Sequence, residues 1–149
     1  HELLNKSDYY FVGSSQGGMQ ACNMAANFEK ASAVILNVPW LSDVCGHEVF
    51  GRVGHNMPTG VGISYFDTAI AAQYLSCPAY IISGLGDGVC RACTQMALYN
   101  AIKSPKYIEF YQNKIHSYTI PWDKHMYALG DLDLADKFRE LTIEYYSYN

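Results

Sequence analysis

The segment Gly13-Ser14-Ser15-Gln16-Gly17 constrains the fold more than any other part of the chain. An apolar run, Tyr9 to Val12, leads into it, and Gly18 to Ala26, which reads as a helix, follows. Strand, G-x-S-x-G, helix is the order in which such a motif forms a nucleophile elbow. The turn at the serine is too sharp for side chains two residues before and after it, so both places are expected to be glycine. Its hydroxyl then stands in the open, above a helix N-terminus whose backbone N–H groups can receive an oxyanion. The bare pattern arises by chance in roughly 5% of chains this long. The plain alternative is a strand–helix turn with small residues for close packing, so partners must decide.

The partners follow in chain order. A second apolar strand, Ala79 to Ser83, runs into Gly84-Leu85-Gly86-Asp87-Gly88, and a third, Tyr107 to Tyr111, is followed by His116. Residues just past the C-terminal ends of parallel strands share one rim of the sheet. Ser15, Asp87 and His116 are therefore expected to converge, with Ser15 as nucleophile, His116 as base then acid, and Asp87 orienting the imidazole. The Gln16 backbone N–H is the expected oxyanion donor. Taken singly, Asp87 reads as a turn aspartate bonding its own backbone, and His116 as one of five histidines in a surface loop. Three strand-end residues in the required order outweigh those readings.

Ser32 to Val38 is a continuous apolar run, as in a parallel strand covered on both faces. Residues 39–64, rich in glycine and proline, suit a long excursion near the site, where lids and specificity elements are placed. Helices are predicted over Phe66 to Tyr74, Thr94 to Ile102 (stopped by Pro105) and Asp133 to Tyr146. The last has Leu134, Phe138, Leu141 and Tyr145 on one face and Asp133 as its cap. No internal boundary, repeat or low-complexity linker is indicated.

Net charge is −4 and no basic run suggests nucleic acid. No apolar stretch reaches the 18 or so residues of a membrane span, and no signal peptide is visible. A cytoplasmic place is favoured, with secretion or the periplasm left open because an N-terminal part is expected to be missing. Thirteen tyrosines could stack on sugars, but half-buried strands and a helix face account for them first. The cysteine count of five is odd and argues against a disulfide framework. Cys90-Arg91-Ala92-Cys93 is a C-x-x-C at a predicted helix start, where the dipole lowers thiol pKa. A redox role lacks a thioredoxin-like pattern, and zinc lacks a second pair, with only His47 and His55 near Cys45 as a weaker set. No cofactor and no metal are expected.

The strings Gly13 to Gly18, Asn37 to Asp43, Ser64 to Asp67, Gly84 to Cys90, Ala97 to Asn100 and Lys106 to Tyr111, with His116, resemble the cephalosporin C deacetylase/acetyl xylan esterase family, carbohydrate esterase family seven. The resemblance implies a three-layer α/β-hydrolase fold with a mostly parallel sheet, and deacetylation of small acetylated sugars or cephalosporin side chains. It carries the nucleophile onto Ser15, the acid onto Asp87 and the base onto His116. It also implies a homo-oligomer, since the family tends to form ring-like hexamers. Two departures stand out: Ser117 follows His116 where the family usually has Glu, and Arg91-Ala92 replace two prolines.

Length is the third departure. A chain of 149 residues can bury a core, but this family needs about twice that, with about four strands before the elbow. Residues 1–149 are therefore expected to be the C-terminal half of one catalytic domain, with the missing N-terminal half present as a companion chain or segment. That half would supply the second oxyanion donor and cover the first strand's edge. Rival expectations are a prolyl-oligopeptidase-type serine peptidase and a non-catalytic fragment retaining the motif.

Overall fold

Four apolar runs become the four strands of one sheet. The computed structural model describes residues 9–44, 61–112 and 114–116, all within one compact unit, His1–Ser117. The strands are β1 (Tyr9–Ser14), β2 (Ala31–Asn37), β3 (Ala79–Gly84) and β4 (Lys106–Tyr111), in that spatial order and all parallel. The expected alternation of strand and crossover is thus borne out. Every residue of β3 and the last five of β2 are buried, as continuous apolar runs in a covered parallel sheet should be. Among the described residues β1 is an edge, paired with β2 alone.

The crossover helices are α1 (Gln16–Ala26), α2 (Thr68–Ala71) and α3 (Ala92–Ala101). They share one core with one face of the sheet. Cys22 and Ala25 of α1, Ala72 and Leu75 after α2, and Leu98 of α3 pack on Val34, Leu36, Ala79 and Ile81. The alternate strand positions, Ile35, Tyr80 and Ile82, are buried on the other face. There the Tyr80 ring stacks on Tyr107 at 5.2 Å and its hydroxyl donates to Glu109. Lys106 donates to the Tyr99 and Ile102 carbonyls at 2.9 and 2.8 Å, satisfying groups that the end of α3 leaves without intrahelical partners.

One predicted helix differs. Phe66 to Tyr74 is not continuous: a 3₁₀ helix (Val61–Phe66) stops before Asp67, α2 is a single turn, and Ala72–Tyr74 tightens again to 3₁₀. Asp67 has extended backbone and caps α2, its carboxylate accepting from the Ala69 N–H, so it cannot lie in a helix interior. The predicted helix Asp133 to Tyr146 lies outside the described residues, as do Ser117 and the segment holding Cys45, His47 and His55. No helix among the described residues is long and apolar enough to cross a membrane.

Candidate active site

Parallel register aligns the strand ends. Ser14 pairs with Asn37, Asn37 with Ile82, and Gly84 with Tyr111, so the loops after β1, β3 and β4 leave one rim together. Ser15 stands at the first of these loops with φ 53° and ψ −118°, a conformation that costs a non-glycine residue about 1–3 kcal/mol. The neighbours hold it there. Its N–H donates to the Asn37 carbonyl at 2.9 Å, and its carbonyl accepts from Met19 at 3.1 Å and Trp40 at 2.9 Å.

The loop following β2 therefore supports the elbow from below. Val38, Leu41 and Asp43 all have positive φ, and Leu41 and Val44 bury themselves against Met19 of α1. Asp67 clamps this loop: its buried carboxylate accepts from Asp43 N–H at 3.0 Å and Val44 N–H at 2.7 Å, besides Ala69 at 2.8 Å. The described start of the predicted lid segment, residues 39–44, thus packs beneath the elbow, and residues 45–60 lie outside the described residues. In the sequence Asp67 is only the last residue of the resembling string Ser64 to Asp67. Its role could not be read there, because its partners lie more than 20 residues away.

Asp87 sits in the loop after β3 with its side chain fully buried. Its Oδ1 accepts from the Val89 and Cys90 N–H groups, both at 2.8 Å, and Oδ2 faces His116 Nδ1 at 2.9 Å. His116 is brought in by close contact between loops. Gly86 N–H donates to the Lys114 carbonyl at 3.0 Å, and a Cβ on Gly84 would stand 2.4 Å from that oxygen. In this loop, where Arg91-Ala92 stand in place of the resembled family's prolines, the Asp87 carboxylate binds its own backbone.

His116 Nε2 lies 2.9 Å from Ser15 Oγ. A carboxylate only accepts, so Nδ1 carries the imidazole proton and Nε2 accepts from the Ser15 hydroxyl. The side chain of His116 is 29% exposed, open to a substrate on one side, while Asp87 behind it is shut off from water. Gln16, which follows Ser15 in the chain, is the first residue of α1, a position whose backbone N–H has no intrahelical acceptor. Ser15, His116 and Asp87 therefore meet at one place, with Gln16 next to Ser15 in the chain. The arrangement is that of a hydroxyl whose proton a neighbouring imidazole can remove, with a buried carboxylate steadying the cation formed.

The C-x-x-C reads differently in three dimensions. Cys90 precedes α3, which begins at Ala92, and is buried, whereas Cys93 is exposed. Burial, reinforced by the Asp87 charge, pushes the Cys90 thiol up to about 12, opposite to the lowering expected from the helix dipole. A small recess lined by Pro39, Trp40, Leu41, Ser42, Val89, Cys90 and Thr94 opens beside the Asp87 loop.

Comparison with known proteins finds esterases, and peptidases of the same fold. The acetyl xylan esterase (AXE1) family model matches residues 57–129, which include Asp87 and His116. The acetyl esterase Axe7A of Xylanibacter ruminicola is 32% identical over 108 aligned positions, covering 65% of this chain and 24% of that protein. Among solved structures, the acetyl xylan esterase of Paenibacillus sp. R4 superposes with a TM-score of 0.64 at 21% identity, over 79% of this chain and 43% of that one. The acylaminoacyl peptidase of Pyrococcus horikoshii does so at 0.65 with 13% identity, over 85% and 23%. The chain thus spans about a quarter of the curated relative and under half of that esterase structure, and the peptidase likeness is one of fold. A parallel sheet with its crossover helices on one face, an elbow serine after the strand that is an edge among the described residues, the matching family model and the curated esterase relative together make the chain similar to acetyl xylan esterases, on an α/β-hydrolase fold.

Proposed function

We propose that the chain is the C-terminal half of the catalytic domain of a serine carboxylesterase. It removes acetyl groups from small acetylated sugars or xylo-oligosaccharides, or from cephalosporin C. The observation that carries this reading is the hydrogen-bonded series Ser15–His116–Asp87, with 2.9 Å at each step.

The steps follow from those contacts. Ser15 Oγ attacks the ester carbonyl as its proton passes to His116 Nε2, and the imidazolium is held against Asp87. The oxyanion is received by the Gln16 N–H at the start of α1. His116 returns the proton to the leaving alcohol, and an acetyl-Ser15 remains. A water then gives a proton to His116 and attacks the acyl carbonyl; as the acyl–oxygen bond to Ser15 breaks, His116 returns that proton to Ser15 Oγ and acetate leaves. One donor alone leaves the oxyanion under-stabilised, since loss of a donor costs about 10²–10³ in rate. The second belongs to a companion segment that adds strands beyond β1.

Fluorophosphonate labelling of the purified protein, read by intact mass, tests the reading. A single adduct on the wild type that is absent from Ser15→Ala supports it, while a hydrolytic activity unchanged in Ser15→Ala would assign the motif to a non-catalytic fragment. A panel of acetyl esters against acyl peptides separates the esterase from a serine peptidase of the acylaminoacyl type, the fold neighbour noted above.

A further inference from the structure

The fold brings one more metal-binding side chain to this site than the reaction uses. Cys90 lies three residues after Asp87, and the turn that directs its N–H to Asp87 Oδ1 also folds its side chain back toward the site. The Cys90 Sγ, a carboxylate oxygen of Asp87 and a ring nitrogen of His116 all lie within 4.8 Å of one another. Sulfur, imidazole nitrogen and carboxylate oxygen are the ligands that zinc takes, with bonds of about 2.0–2.3 Å that set neighbouring ligands roughly 3.5 Å apart. Side-chain adjustments of about one ångström reach that spacing. Asp87 and Cys90 are buried and His116 is half-buried, so three protein ligands would leave a fourth, open position for water.

From this juxtaposition we infer that Cys90, Asp87 and His116 Nδ1 form an inhibitory site for a thiophilic divalent cation, with zinc as the type. The inference rests on the proposed roles of Asp87 and His116 only for its effect on activity; the binding site itself does not need them. On binding, the Cys90 thiol gives its proton to solvent and forms the metal–sulfur bond. The single imidazole proton moves from Nδ1 to Nε2 as the metal takes the Nδ1 lone pair. No electrons are transferred. Nε2 then carries a proton and can no longer accept one from Ser15, so the metal silences the serine without touching it.

In the sequence Cys90 stands with Cys93 in a C-x-x-C, for which no metal was expected. Cys93 is exposed and is not one of the three clustered residues, so the two sites make opposite demands on it. The test is zinc binding by equilibrium dialysis to the Ser15→Ala protein, with cobalt(II) as a spectroscopic substitute. One ion per chain, removed by EDTA, with a near-ultraviolet thiolate-to-cobalt band, is the expected result. Cys90→Ala should weaken binding by more than about tenfold, the least that loss of even an outer-shell partner costs. Cys90→Ser, close in size, should remove the band while the wild-type serine context still labels with fluorophosphonate. Cys93→Ala should change neither. Binding that survives Cys90→Ala, that disappears with Cys93→Ala, or that is absent at micromolar zinc overturns the inference. Wild-type protein that labels at Ser15 but binds no zinc sinks this site and leaves the esterase reading standing. A protein that binds zinc yet still fails to label after EDTA has removed the metal does the reverse.

Discussion

The carbonyl oxygen of Gly17 stands 2.1 Å from where a Cβ on Gly13 would be placed. The elbow closes on itself there, and no side chain can be admitted at Gly13. A Cβ on Gly17, by contrast, meets nothing within 4 Å. The sequence pattern asks for glycine at both places, but in this chain only one of them is sterically required. Gly17 lies in the first turn of α1, where the chain has already left the tight bend. The next residue takes over the need for a small side chain, because a Cβ on Gly18 would come within 3.0 Å of Pro39. Gly13→Ala should therefore destabilise by the upper end of the about 1–3 kcal/mol typical of overpacking, and abolish labelling at Ser15. Gly17→Ala should be neutral or stabilising by up to about 1 kcal/mol, as expected of Ala in a helix. Urea midpoints of the two variants check the contrast; equal losses would refute it.

Asp87→Asn isolates the tautomer. The native carboxylate accepts three bonds, from Val89, Cys90 and His116. Asparagine can keep the two backbone bonds with its oxygen, which turns its NH₂ toward His116. Two donors cannot face each other, so the imidazole proton shifts to Nε2 and the Ser15 hydroxyl loses its acceptor. Turnover of a nitrophenyl acetate should fall about 10⁴-fold with little change in thermal midpoint. A fall of less than about tenfold would remove Asp87 from the proposed mechanism.

Asp67 is expected to matter for the elbow although it lies outside it. Its carboxylate accepts from the Asp43 and Val44 N–H groups of the loop that also donates Trp40 N–H to Ser15. Asp67→Ala removes this acceptor from the buried Val44 N–H and the part-buried Asp43 N–H, at about 1–3 kcal/mol for a buried donor left without a partner. The urea midpoint should drop accordingly, and fluorophosphonate labelling should slow as the support under Ser15 loosens. An unchanged labelling rate in a destabilised variant would confine Asp67 to stability alone.

What could be read in the chain was whatever depends on local pattern. Runs such as Ala79 to Ser83 set the strands, and parallel strands put their following loops on one rim. Ser15, Asp87 and His116 could thus be placed by counting from strand ends. What could not be read depends on contacts between distant segments. Asp67 looks like an ordinary helix-start residue until the loop after β2 folds onto it. Gly17 and Gly18 cannot be ranked until Pro39 approaches α1. Cys90 appears to pair with Cys93 along the chain, but the turn at Asp87 buries one and leaves the other exposed. The predicted helix from Phe66 failed for a related reason, since local propensity does not show that Asp67 is committed as a cap.

The buried thiols give a pH signature of the fold. Burial, with Cys77 nearby, pushes Cys22 up to about 12 from the ordinary 9.0, and Cys90 is pushed up to about 12 as well. Cys77 is raised by the same cause. Above pH 9 the unfolded chain releases these protons while the folded chain keeps them, so unfolding gains with each further step in pH. The stabilising contribution is complete below about pH 9 and is lost progressively toward about 12. Urea midpoints should therefore fall from pH 8.5 to pH 10.5, and more gently in Cys22→Ala than in the wild type. Iodoacetamide at pH 8 should mark Cys93 within the native protein and reach Cys22, Cys77 and Cys90 only after denaturant is added, as peptide mapping would show. Rapid native alkylation of Cys22 would mean that α1 does not pack on the sheet as described, and the support it gives the elbow would go with it.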